Sequence, residues 1–125
     1  MLRSILIAGA GGFIGTILRY LAGVAANRWL NTSWPWATFT VNIIGSFIIG
    51  AVIAAAEHNT NGDDAWKIFL ATGICGGFTT FSAFAHENLR FLQQGEHVSF
   101  IVYTAASVML GILAAAGGMM LFRTA

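Results

Sequence analysis

Gly76-Gly77-Phe78-Thr79-Thr80-Phe81-Ser82-Ala83-Phe84 lies inside an apolar run long enough to cross a membrane, yet its residues oppose a continuous helix. Adjacent glycines make helical backbone costly, and the two threonines that follow carry hydroxyls able to bond local carbonyls. Non-helical backbone at membrane depth persists only where it is buried in protein or lines an aqueous path. The stretch therefore predicts a third span broken at Gly76-Gly77, and with the break an ion or substrate site.

Outward from this stretch the chain reads as a single all-α transmembrane domain over 1–125, with spans at about 5–26, 37–56, 66–92 and 98–122. Each holds roughly the 20 residues that the hydrocarbon core requires. Of the 125 residues 57% are hydrophobic and 9% charged, where soluble domains carry about 25% charged. A net charge of +1 leaves no basic footprint for nucleic acid. Cys75 is the sole cysteine, which excludes an intrachain disulfide and reads as a small buried apolar residue. Arg3, an apolar stretch and Val24-Ala25-Ala26 have some of the shape of a cleaved leader. The apolar stretch is too long for one and contains Arg19.

The connections are short and polar: Asn31 to Trp36, with tryptophans suited to the membrane interface, then Glu57 to Asp64, then Gln93 to His97. An even number of spans puts both termini on one side. Arg3, Lys67 and Arg123 then lie on the terminal side, against Arg28, Arg90 and the nearby Arg19 on the other. Orientation follows an excess of Lys and Arg in short loops, and here there is none. Insertion in both orientations, giving antiparallel dimers, is the expectation. Gly11 with Gly15, Gly73 with Gly77 and Ala114 with Gly118 recur at four-residue spacing, as in faces where membrane helices pack backbone to backbone.

Ala8-Gly9-Ala10-Gly11-Gly12-Phe13-Ile14-Gly15 imitates a dinucleotide-binding fingerprint. That motif needs a strand before it and an acidic residue about 20 positions later. The first acidic residue is Glu57, and no strand–helix alternation follows.

Within the spans the polar residues are few. Arg19 must snorkel to the interface or line a cavity, where it would attract anions. Asn42 lies well inside the second span with Thr38 one turn before it on the same face, and its amide suits either helix–helix bonding or an ion. Tyr103 and Ser107 share a face of the fourth span. Phe81 and Phe84 share a face directly after the break. Their ring edges carry partial positive charge and can meet a small anion without the grip of a formal cation. Glu87 is expected to pair with Arg19 or Arg28, and His86 is assigned no role. No nucleophile–base pair, metal-ligand cluster or carboxylate pair appears, so the chain is not read as an enzyme.

Gly76 to Phe84, with Asn42, Arg19 and Glu87 at fitting positions, resembles the Fluc (CrcB) family of fluoride channels. The likeness covers the whole chain, including Leu18-Arg19-Tyr20 after the first-span glycines and the Thr38-x-x-x-Asn42 element. It implies a passive, fluoride-selective channel in the bacterial inner membrane, exporting cytoplasmic fluoride through an antiparallel, dual-topology homodimer embedded in lipid. It also implies a structural sodium ion at the dimer centre, on backbone carbonyls that fall on Gly76 and Thr79. The pore phenylalanines fall on Phe81 and Phe84 and the pore asparagine on Asn42. The polar track falls on Thr38, Ser82, Tyr103 and Ser107, and the vestibule arginine on Arg19. The family often has Thr where this chain has Ala83, and Ser where it has Ala85, which removes a candidate track donor. Two other classes compete. A four-span, proton-coupled multidrug transporter needs a first-span glutamate, which is missing here. A non-transporting assembly factor would use the polar residues only as helix glue.

Overall fold

The computed structural model describes residues 1–123, and among them every regular element is a helix. Helix α1 is Leu2–Trp29, α2 is Trp36–His58, and the last helix, α6, is His97–Arg123. The third span, Ala65–Gln93, is composite. It opens with α3 (Ala65–Lys67), widens into π-helical turns over Ile68–Cys75, returns to α4 (Gly76–Phe78) and resumes as α5 (Phe81–Gln93). All four spans are long and apolar enough to cross a membrane.

Lipid tails give membrane helices no hydrophobic reason to associate, so close backbone contact must do so. The small-residue faces supply it. Gly11 lies against the Phe69 carbonyl and Gly73, and Gly15 against the Ile74 carbonyl. Gly77 lies against the Gly12 carbonyl and Thr16. On the other side of the bundle, Gly50 meets the Ala115 backbone and Gly118 the Phe47 carbonyl, joining α2 to α6. Large apolar side chains such as Phe13, Val98 and Ile112 face outward, as a bilayer allows.

The turn between α5 and α6 follows from one residue. Gly95 takes φ 74°, a conformation nearly free for glycine alone. Its N–H then bonds the Leu92 carbonyl at 3.2 Å, and the Glu96 N–H bonds Phe91 at 2.8 Å. This paired closure satisfies the last carbonyls of α5. At the terminal side, Arg123 grips both oxygens of Glu57 at 3.1 and 3.3 Å, tying the ends of α2 and α6.

The break differs from expectation in position. Gly76 and Gly77 are helical; the extended residues are Thr79 (φ −85°, ψ 157°) and Thr80 (φ −151°, ψ 116°). Gly77 is needed for its missing side chain, which lets α4 lie on the backbone of α1. The helical path is lost where side-chain partners reach the threonines.

Candidate functional site

The site is organised around Thr79 and Thr80. Asn42, on α2, forms a reciprocal pair with Thr80: the Thr80 N–H donates to Oδ1 at 2.8 Å, and Nδ2 donates to the Thr80 carbonyl at 3.1 Å. The amide thus replaces the partners that a helix would have given this residue. The Thr80 hydroxyl accepts from the Ala83 N–H at 3.1 Å and caps α5. Thr79 turns its hydroxyl back to the Cys75 carbonyl at 2.8 Å. Its methyl group fits only because α2 carries Gly45 opposite it.

These bonds leave particular carbonyls without their usual donors. In an unbroken helix the Thr80 N–H would serve Gly76, and the Ala83 N–H would serve Thr79. Both N–H groups are committed to side chains instead. The Gly77 carbonyl is served by Arg19, whose Nε donates at 3.0 Å. Arg19 is therefore not a free snorkelling anchor: it completes the backbone at the break.

A cavity of about 440 Å³ opens beside this segment. Asn42, Thr79, Thr80, Phe81, Phe84 and Ser107 contribute to its wall, along with Gly76 and Ser46. Among the described residues no charged one lines it. The Ser107 hydroxyl is buried and has no hydrogen-bond partner. One hydrogen of the Asn42 amide also remains beyond its bond to Thr80. The rings of Phe81 and Phe84 lie 5.8 Å apart, and Phe84 lies 5.1 Å from Tyr103. Phe81 is 78% exposed on the single chain. Neutral polar groups and two aromatic rings share one space, and among the described residues no cation lines it.

The other expected residues lie elsewhere. Arg19 and Thr38 line a second cavity of about 380 Å³, together with Thr80 and Ala83. Ser82 is exposed, its hydroxyl 3.3 Å from that of Thr80. Tyr103 is fully buried and walls none of these cavities. Its hydroxyl donates to Glu87 Oε1 at 3.1 Å, while Thr38 donates to Oε2 at 2.9 Å. Glu87 thus pairs with two hydroxyls rather than with Arg19 or Arg28, a correction to the expected ion pair. The sequence held one signal for this: a carboxylate in an apolar span needs donors, and Thr38 and Tyr103 offer hydroxyls. Ser46 and Asn88 were not singled out either. Ser46 donates to the Asn42 carbonyl at 2.7 Å, and Asn88, 7% exposed, accepts from Thr104 at 3.3 Å.

Fold and site together define a four-span helical membrane protein with a non-helical segment against a neutral, polar and aromatic cavity. The profile of the family described as CrcB-like protein, Camphor Resistance (CrcB), matches residues 6–119, and the chain belongs to that family. It is 38% identical over 123 residues to a protein of Caulobacter vibrioides (strain NA1000 / CB15N) named fluoride-specific ion channel FluC, covering 98% of this chain and 97% of the relative. A protein of the same name from Leptospira interrogans (serovar copenhageni) is 41% identical over 121 residues, covering 97% and 95%. A third, from Rhizobium meliloti, is 39% identical over 122 residues, covering 98% of each.

Proposed function

We propose that the protein is a fluoride-selective channel, not an enzyme, through which cytoplasmic fluoride leaves the cell passively across the inner membrane. The observation that carries this reading is the uncharged cavity at the break, furnished with Ser107, Asn42 and the rings of Phe81 and Phe84. Fluoride is small and binds hydrogen-bond donors strongly. Neutral donors and ring edges can replace part of its water without holding it too tightly to leave. Family membership and the name shared by the full-length relatives support the same conclusion.

The working unit in this reading is an antiparallel homodimer of chains inserted in opposite orientations. The exposed Phe81 supports it, since a second copy would complete the wall that one chain leaves open. Gly76 and Thr79 suit the sodium site that the family likeness implies, because both carbonyls have lost their helical donors. Carbonyl oxygens suit a hard monovalent or divalent cation. Bound there, sodium would supply positive field beside the anion path and a tie between the two breaks. In this reading Thr38, Ser82 and Arg19 extend the path, while Tyr103, which walls none of it, acts through Glu87, the carboxylate that also accepts from Thr38.

Efflux from proteoliposomes, read with a fluoride electrode and with chloride as control, tests this function. Fast fluoride release with chloride retained is expected. Phe81→Ile with Phe84→Ile should abolish flux and leave a dimer by size exclusion. Undiminished efflux from that double variant would remove the rings from the path.

A further inference from the structure

A third cavity, of about 310 Å³, lies at the far end of the bundle from the termini. Asn27 of α1, Ser33 and Trp34 of the first loop, Thr38 of α2, and Glu87 and Arg90 of α5 contribute to its wall. It shares Thr38 and Asn27 with the second cavity, which in turn shares Thr80 with the central one. Each cavity thus has wall residues in common with the next.

Two residues of the outer cavity's wall carry donors with capacity to spare. Arg90 donates from Nη2 to the Ser33 carbonyl at 3.2 Å, and among the described residues it makes no ion pair. A guanidinium has further N–H groups to offer. The indole Nε1 of Trp34 is buried and has no acceptor, an unusual state for a buried N–H. Among the described residues the one carboxylate in the wall is Glu87, and its two oxygens already accept from Tyr103 and Thr38. Arg90 follows Glu87 by one turn of α5 and offsets its charge, so the approach to Thr38 is not net negative.

We propose that this outer cavity is a small-anion subsite, in which Arg90 and the Trp34 indole N–H collect fluoride before it reaches Thr38. The inference rests on the fluoride-channel reading and adds residues to which the family likeness gives no role. It also accounts for the contrast between the charged outer cavity and the uncharged central one. The Arg90 guanidinium offers anions a local attraction in the outer cavity, with Glu87 already occupied by Thr38 and Tyr103. The uncharged centre then passes them on, because tight binding there would stop conduction.

The test is the initial rate of fluoride efflux from proteoliposomes across a range of fluoride concentrations at low ionic strength. Wild type, Arg90→Gln, Arg90→Lys and Trp34→Phe are compared after each elutes as the wild type does on size exclusion. Arg90→Gln should raise half-saturating fluoride about three- to tenfold with little change in maximal rate, and added inert salt should shrink the difference. Trp34→Phe should shift it in the same direction, and Arg90→Lys should stay near wild type. An unshifted half-saturation in Arg90→Gln, or a fall in maximal rate alone, overturns the subsite. If Arg90→Gln does not elute as a folded species, Trp34→Phe decides, and an unshifted value there overturns it equally. A wild type that passes no fluoride breaks the channel reading itself; a conducting wild type beside an unshifted Arg90→Gln breaks only the subsite.

Discussion

The third span is held in two different ways on either side of Thr79-Thr80. Before the break, the π-helical turns and α4 lie on α1 through glycine faces, backbone against backbone. After it, α5 is fixed by side chains reaching across from other elements: Thr38 and Tyr103 to Glu87, Thr104 to Asn88, and Arg90 to the first loop. The first kind of contact has no tolerance for added atoms. The second is set bond by bond, and it governs the half that carries Phe81 and Phe84. The difference teaches that the rings are aimed by polar partners, while the platform beneath them is fixed by the absence of side chains.

The largest expected effect is on the platform. Gly15→Leu would drive a side chain into the Ile74 carbonyl and the Phe78 backbone, which cannot step aside. Ordinary overpacking costs about 1–3 kcal/mol, and here the obstacle is backbone of a neighbouring span, so the cost exceeds that range and the spans cannot close on each other. Loss of the folded species on size exclusion is expected, and a well-folded Gly15→Leu protein would show that the two halves are held alike. Next comes the joint between the halves. Asn42→Leu leaves the Thr80 N–H and carbonyl unpaired, at about 1–3 kcal/mol for each buried group. A thermal midpoint lowered by several degrees in detergent, together with lost fluoride flux, is the expected result. The smallest effect should come from α5 itself. Asn88→Leu and Thr104→Val should each cost about 0.5–1.5 kcal/mol, and the double variant little more than either alone. Fully additive midpoints would mean that the 3.3 Å contact between them contributes nothing.

Much of this was legible before any coordinates. The apolar runs marked four long helices whose ends fall within a few residues of those expected, because bilayer thickness sets the length of such runs. Glycine spacing marked the faces that later proved to meet. What stayed hidden was long-range pairing. The break falls at Thr79-Thr80 rather than at the glycines because Asn42, 38 positions away, takes the Thr80 backbone. Arg19 finds the Gly77 carbonyl across 58 positions, and Glu87 finds Thr38 across 49. Local propensity carries no information about such partners. Asn42, Phe81, Phe84 and Ser107 were singled out from polarity and spacing, and the structure brings them to one cavity. Tyr103, chosen on the same grounds, turns inward to Glu87.

The reciprocal bonds between Asn42 and Thr80 also bear on how the protein is made. Asn42 leaves the ribosome 38 residues ahead of its partner. Until Thr80 arrives, its amide must find water or a temporary acceptor. The extended pair at Thr79-Thr80 in turn has no satisfied form in lipid without α2 beside it. The break is therefore a product of assembly between neighbouring spans, made after both have entered the bilayer. Biogenesis of this chain has a point at which α2 and the third span must meet or be discarded, and a lesion at Asn42 should be sensed by membrane quality control before it is sensed by any ion.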